Sequence, residues 1–134
     1  MFVTHDRDEA LSLSDRIAVL HEGHVQQVDT PRQLYLQPRS RFVAGFLGAV
    51  NWIGDVGVRP EATRFSRAKP LDNSSATKAV IGRSTFLGSA VHIEATLTSG
   101  EKIVSEVSRL DDSYTPGEPI HVWWNSMDEL RIPR

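Results

Sequence analysis

In "RIAVLHEGHVQQVD" two apolar-rich runs lie on either side of Glu22-Gly23, a loop where glycine takes positive φ, and the pattern predicts an antiparallel hairpin. Ahead of it, "DRDEALSLSD" predicts a short helix, with Asp6 as N-cap and Asp8 and Glu9 in the first turn, opposing the positive end of the helix dipole. Behind it, Thr30-Pro31 opens a new helical stretch, because proline suits a first helical position whose N–H has no partner. Leu34, Phe42, Val43, Phe46 and Leu47 supply apolar faces on either side of Pro38, so helices are expected at about 31–37 and 40–47. From Gly48 onward the helical period gives way to short runs rich in Val, Ile, Thr and Trp, separated by turns such as "KPLDNSS", "TSGE" and "YTPGE". A boundary is expected near residue 49, followed by a small barrel or sandwich. In "VHIEATL", Val91, Ile93, Ala95 and Leu97 alternate with His92, Glu94 and Thr96, which predicts one apolar and one wet face.

The chain has 134 residues, enough for one ordinary domain or two small ones. A formal net charge of -2 gives no one-signed field of the kind that draws nucleic acid or membrane surfaces. With no cysteine, disulfide frameworks and thiolate metal sites are excluded. No apolar run approaches the roughly 18 residues of a membrane span, and no leader pattern opens the sequence, so a cytoplasmic location is expected.

Several residues are candidates for chemistry. His5 follows an apolar run, a place where a histidine usually completes a site assembled from elsewhere. His21 and His24 flank the Glu-Gly loop, but two histidines without further ligands at useful spacing do not make a metal site, and none is expected. Trp123 and Trp124 are neighbours on one strand, so their side chains leave opposite faces; one is expected in the core and the other at a contact between subunits. Arg59, Arg64, Arg67 and Lys69 form a modest basic cluster with no aromatic platform interleaved, which reads as scattered solvated charge rather than a nucleic-acid track. The "FLGS" turn could hold a small anion on backbone N–H groups, an alternative ranked below the rest.

The ordered series "VTHD", "EAL", "DRIAVL", "GHVQQVDTP" and "FVAGFLG" resembles the end of the nucleotide-binding domain of ABC importer ATPases of the polyamine, maltose, iron and sulfate type. The second half, with "GVRPEATRF", "FLGSAVHIEATLTSGEKIVSEV", "TPGEPIHVWW" and "DELRI", is similar to the accessory TOBE domain that follows it, an OB-type β-barrel. The resemblance implies an α+β fold: a helix, hairpin and helix segment over 1–48 that is the tail of a nucleotide-binding domain, then a TOBE-like antiparallel barrel over 49–134. It also implies that His5 matches the switch histidine that contacts the γ-phosphate. None of the nine glycines is followed by lysine, so the phosphate loop G-x-x-x-x-G-K-[ST] is missing, as are the "LSGGQ" signature and an apolar run ending in Asp-Glu. No catalytic, cofactor-binding or metal residue is therefore expected, His5 is expected to be exposed near a frayed end, and the chain is expected not to hydrolyse ATP by itself. A truncated ATP-binding subunit carrying a regulatory domain is the preferred reading; a free-standing small-ligand or oxyanion-binding module is the alternative. Because "AVNWIGDVG" joins "FLG" to "VRPE" directly where similar transporters have more chain, the barrel is expected to be incomplete, with an open edge that favours a homo-oligomer. Membrane subunits are partners only of an intact relative, and neither nucleic acid nor membrane insertion is expected.

Overall fold

The computed structural model describes residues 15–70, 75–111 and 113–132. The helix expected from "DRDEALSLSD", and His5 with it, lie outside the described residues. The chain divides into two compact units, residues 1–50 with 130–134, and residues 51–129. Among the described residues, no helix is long and apolar enough to cross a membrane.

In the first unit, strands β1 (Ile17–His21) and β2 (His24–Asp29) pair antiparallel through the Glu22-Gly23 turn, where both residues take positive φ, 50° and 80°. Helix α1 (Pro31–Leu36) is capped by the Thr30 hydroxyl, which accepts from the Gln33 N–H at 3.3 Å, and α2 (Arg41–Leu47) by Ser40, whose hydroxyl accepts from Val43 N–H at 3.2 Å. Val19, Leu34, Val43 and Leu47 form the core of this unit. Gln27, registered with Val19, is buried too and holds the interhelical turn: its side-chain carbonyl accepts from Arg39 N–H at 2.8 Å, and its amide donates to the Gln37 carbonyl at 3.3 Å.

The second unit is mostly β. A small hairpin, β3 (Asn51–Ile53) and β4 (Val56–Val58), precedes a 3-10 turn at Pro60–Ala62. It occupies the stretch "AVNWIGDVG" that the sequence suggested was a bare connection; strands of three residues lie below the length at which alternation is legible. Then come β5 (Arg64–Ser66), β6 (Ser75–Phe86), β7 (Ala90–Leu97), β8 (Lys102–Ser108) and β9 (Pro119–Trp124), with a two-residue strand β10 (Glu129–Leu130) at the end. Five of these make one antiparallel sheet in the order β5-β9-β6-β7-β8. Its curl originates in β6. The first half of this strand pairs with β9, the second half with β7, and the register slips between Ile81 and Ser84, where a bulge adds twist. The sheet thus curls into a half-barrel around Val91, Ile93, Ala95, Leu97, Ile103, Ile120, Val122 and Trp124. The buried Val, Leu and Ile side chains among these are each worth about 1.5–3 kcal/mol relative to exposure. The alternation read from "VHIEATL" holds residue by residue, with Val91, Ile93, Ala95 and Leu97 at most 4% exposed.

Candidate functional site

Because consecutive side chains of a strand leave opposite faces, Trp124 enters the core of the half-barrel while Trp123 lies on its outer face. The Trp124 indole N–H donates to Glu129 Oε1 at 3.0 Å, which satisfies its one polar atom. Trp123 is registered opposite Arg64 on β5, and the Arg64 guanidinium sits 5.5 Å from its ring centroid, a cation–π arrangement. Lys78 of β6 and Ser66 of β5 are both registered opposite His121, two residues from Trp123 on the same outer face. The sequence suggested that no aromatic accompanied the basic residues. Strand register corrects this, since Trp123 lies nearly sixty residues from Arg64 in the chain and beside it in the sheet.

The four basic residues singled out from the sequence do not form one surface. Arg59 is only 2% exposed, so it is no part of a solvated cluster. Arg64 covers Trp123, and Lys69 is exposed. Arg67 forms an ion pair through Nε with Glu118, donates through Nη2 to the Ser113 carbonyl at 2.8 Å, and places its guanidinium 4.8 Å from the Tyr114 ring centroid. The clamp is completed by the Tyr114 hydroxyl, which donates to the Phe65 carbonyl at 3.0 Å, and by Thr115 N–H, which donates to Glu118 Oε2 at 3.1 Å. These bonds lower the Glu118 pKa below the usual carboxylate range, the Thr115 N–H first and Arg67 second. Burial raises the Tyr114 phenol, with Arg67 partly opposing it.

A buried polar knot, invisible in the sequence, lies at the β8 edge. Asn51 donates to Thr63 Oγ1 at 2.8 Å and to the Val104 carbonyl at 2.7 Å, and its side-chain oxygen accepts from Val104 N–H at 2.9 Å. Thr63 in turn donates to the Arg59 carbonyl at 2.9 Å, and the Ser105 hydroxyl donates to the Thr63 carbonyl at 2.5 Å. The only trace in the sequence is a lone polar residue between Val50 and Trp52-Ile53.

His21 and His24 are registered partners in the hairpin and both exposed; His21 packs against Phe42 of α2, ring centroids 4.1 Å apart. Among the described residues no group of three or more His, Asp or Glu is placed to hold a metal. At the "FLGS" turn, Leu87 N–H already donates to the Ala90 carbonyl at 2.9 Å, so this donor is spent within the turn, while Phe86 and Leu87 are 71% and 53% exposed. The described geometry supports packing and stacking.

The TOBE domain family model matches residues 56–130. The chain is 38% identical over 142 aligned positions to the uncharacterized ABC transporter ATP-binding protein YdcT of Escherichia coli strain K12, a match covering 93% of this chain and 41% of the relative. To the spermidine/putrescine import ATP-binding protein PotA of Bacillus thuringiensis strain 97-27 it is 29% identical over 138 positions, 98% of this chain and 42% of that protein. A shorter segment of 62 positions, 46% of this chain and 17% of the relative, is 61% identical to the protein of the same name in Pseudomonas fluorescens strain Pf-5. The chain thus spans about two fifths of the length of the relatives it matches over most of its own length.

Proposed function

From a chain that belongs to the TOBE domain family, we propose the role of the accessory, regulatory part of an ABC importer ATP-binding subunit, joined to the closing segment of its nucleotide-binding domain. The observation that carries this reading is the extent of the two long alignments. At 93% and 98% of the chain they take in the hairpin and helices as well as the TOBE region, so both regions follow one another along the sequence of the relatives as along this one. On this reading residues 1–48 are the tail of the nucleotide-binding domain, 49–134 an OB-like barrel, and His5 the matching switch position.

The chain does not turn over ATP alone. Phosphoryl transfer needs a phosphate cradle, a magnesium-holding acid pair and a signature loop together, and none of these motifs is present in this sequence. Working at the cytoplasmic face with membrane subunits, and self-associating as a homo-oligomer, belong to the same proposal.

The test is a chimera. The region of the Bacillus thuringiensis protein that aligns with this chain is replaced by it, and ATP hydrolysis and polyamine import are measured beside the purified chain alone. The expected result is activity in the chimera and none in the chain alone. Steady hydrolysis by the chain alone, lost on His5→Ala, would overturn the reading.

A further inference from the structure

The outer face of the five-stranded sheet is divided by charge. On its β7–β8 side each carboxylate has a local partner, Glu106 in His92 at 2.8 Å and Glu94 in Arg83 at 3.1 Å. On the β5–β9–β6 side two cations have none. Arg64 and Lys78 are exposed and form no ion pair among the described residues. They stand at opposite corners of a block of two registered rows, Arg64 with Trp123 and Ala76, then Ser66 with His121 and Lys78. Trp123 is half-buried, and its indole N–H is shielded from water yet donates to no group among the described residues. Ala76, exposed beside it, is too small to cover the ring on that side.

We propose that this block docks an extended acidic segment of another protein, with an apolar side chain against Trp123 and a carboxylate at each end, one on Arg64 and one on Lys78. Geometry and charge select this occupant. The two cations are about 12 Å apart along the backbone framework, two inter-strand spacings across and two residues along, and four residues of extended chain rise about 13 Å. Side chains one, three and five of such a segment share a face, so the fitting pattern is acid, any, apolar, any, acid. Trp and Arg are residue types that anchor protein contacts. Once Arg64 turns from the ring to a carboxylate, a backbone carbonyl of the segment supplies the acceptor that the Trp123 N–H lacks. A small ligand needs a concave site, and this face is the convex side of a sheet curled round its core. A nucleic-acid strand needs successive rings and many cations, whereas one indole and two free cations are bounded here by Glu94 and Glu106. The surface lies within residues 51–129 and does not depend on the family reading above.

The test uses the full chain and two synthetic peptides of the same composition, one with Glu at the first and fifth positions around a central Leu, the other with both Glu together at one end. The chain has three tryptophans, and Trp123→Phe identifies the Trp123 indole signal in the proton–nitrogen NMR spectrum. The spaced peptide should shift that signal saturably and bind about threefold more tightly than the clustered one, which reaches one cation at a time. Arg64→Ala and Lys78→Ala, both at exposed positions, should each weaken binding about threefold while the chain unfolds close to the parent temperature. Arg109→Ala, exposed at the opposite end of the sheet, should leave binding unchanged.

Equal affinity for the two peptides, or binding that survives Arg64→Ala combined with Lys78→Ala, overturns the proposal, and so does the absence of any shift. An oligothymidylate that shifts the Trp123 signal more strongly than the spaced peptide, with affinity falling steeply in salt, overturns it in favour of a nucleic acid. A shift that appears on concentrating the chain alone overturns it in favour of a second copy.

Discussion

The side chain of Asn51 is bonded to both backbone groups of Val104, its oxygen accepting from the N–H at 2.9 Å and its amide donating to the carbonyl at 2.7 Å. Glu94 of β7 is registered opposite Val104 of β8, and Leu97 N–H donates to the Glu101 carbonyl, so by alternation the Val104 groups point away from β7 toward the open side of the sheet. One primary amide therefore takes the place of a sixth strand at the middle of the β8 edge. An unpaired edge was the ground for expecting the sheet to recruit another chain; at its centre this edge is already satisfied.

Asn51→Leu should leave the Val104 N–H and carbonyl unpaired and deprive Thr63 of its donor. A loss of about 2–4 kcal/mol is expected, since buried groups deprived of partners cost about 1–3 kcal/mol each and partly relax toward water. Urea denaturation measures it, and hydrogen exchange at Val104 should accelerate well beyond that at Ile103. A variant as stable as the parent would show that the edge does not need its cap.

The adjacent tryptophans should differ sharply. Trp124→Ala empties a site that is 5% exposed and strands Glu129, for an expected cost of about 3–5 kcal/mol. Trp123→Ala removes an outer-face ring and its Arg64 contact, for about 1–2 kcal/mol. Thermal unfolding of the two variants decides the matter, and equal losses would contradict the assignment of faces.

Gly57 faces Trp52 across the β3–β4 hairpin, and a Cβ there would lie 2.6 Å from the ring carbon Cζ3. Gly57→Ala should therefore displace the indole, costing about 1–3 kcal/mol as overpacking does. Trp52→Phe in the same background should recover part of the loss. Failure of that rescue would place the strain elsewhere.

Glu118 has a folded pKa below its ordinary value of 4.5, so its contribution to stability is present above that value and fades as pH falls through the folded pKa. Stability curves of the parent and Glu118→Gln should run apart above about pH 5 and converge in acid. For Tyr114 the sign is reversed. Its pKa is raised above 10.0, so its contribution holds below that and is lost as pH rises through the folded value. Curves for Glu118→Gln that stay parallel down to acid pH would show that the Arg67 clamp carries no charge-dependent stability.

Sequence alone sufficed for the local elements and for the resemblance. The Glu-Gly turn, the Thr30-Pro31 helix start and the alternation of "VHIEATL" depend on residues within a few positions of one another, and periodicity and capping chemistry act over that range. Tertiary structure decided which distant residues meet: Asn51 with Val104, Arg64 with Trp123, Arg67 with Glu118 and Tyr114. It also buried Arg59, which linear spacing had placed with the solvated charges, and folded "NWIGDV" into strands too short to betray a period. Strand register sets the Arg64–Trp123 pairing, and register is settled by the whole apolar face of the sheet at once; the other pairings join loop and short-strand residues to the sheet through hydrogen bonds and charge.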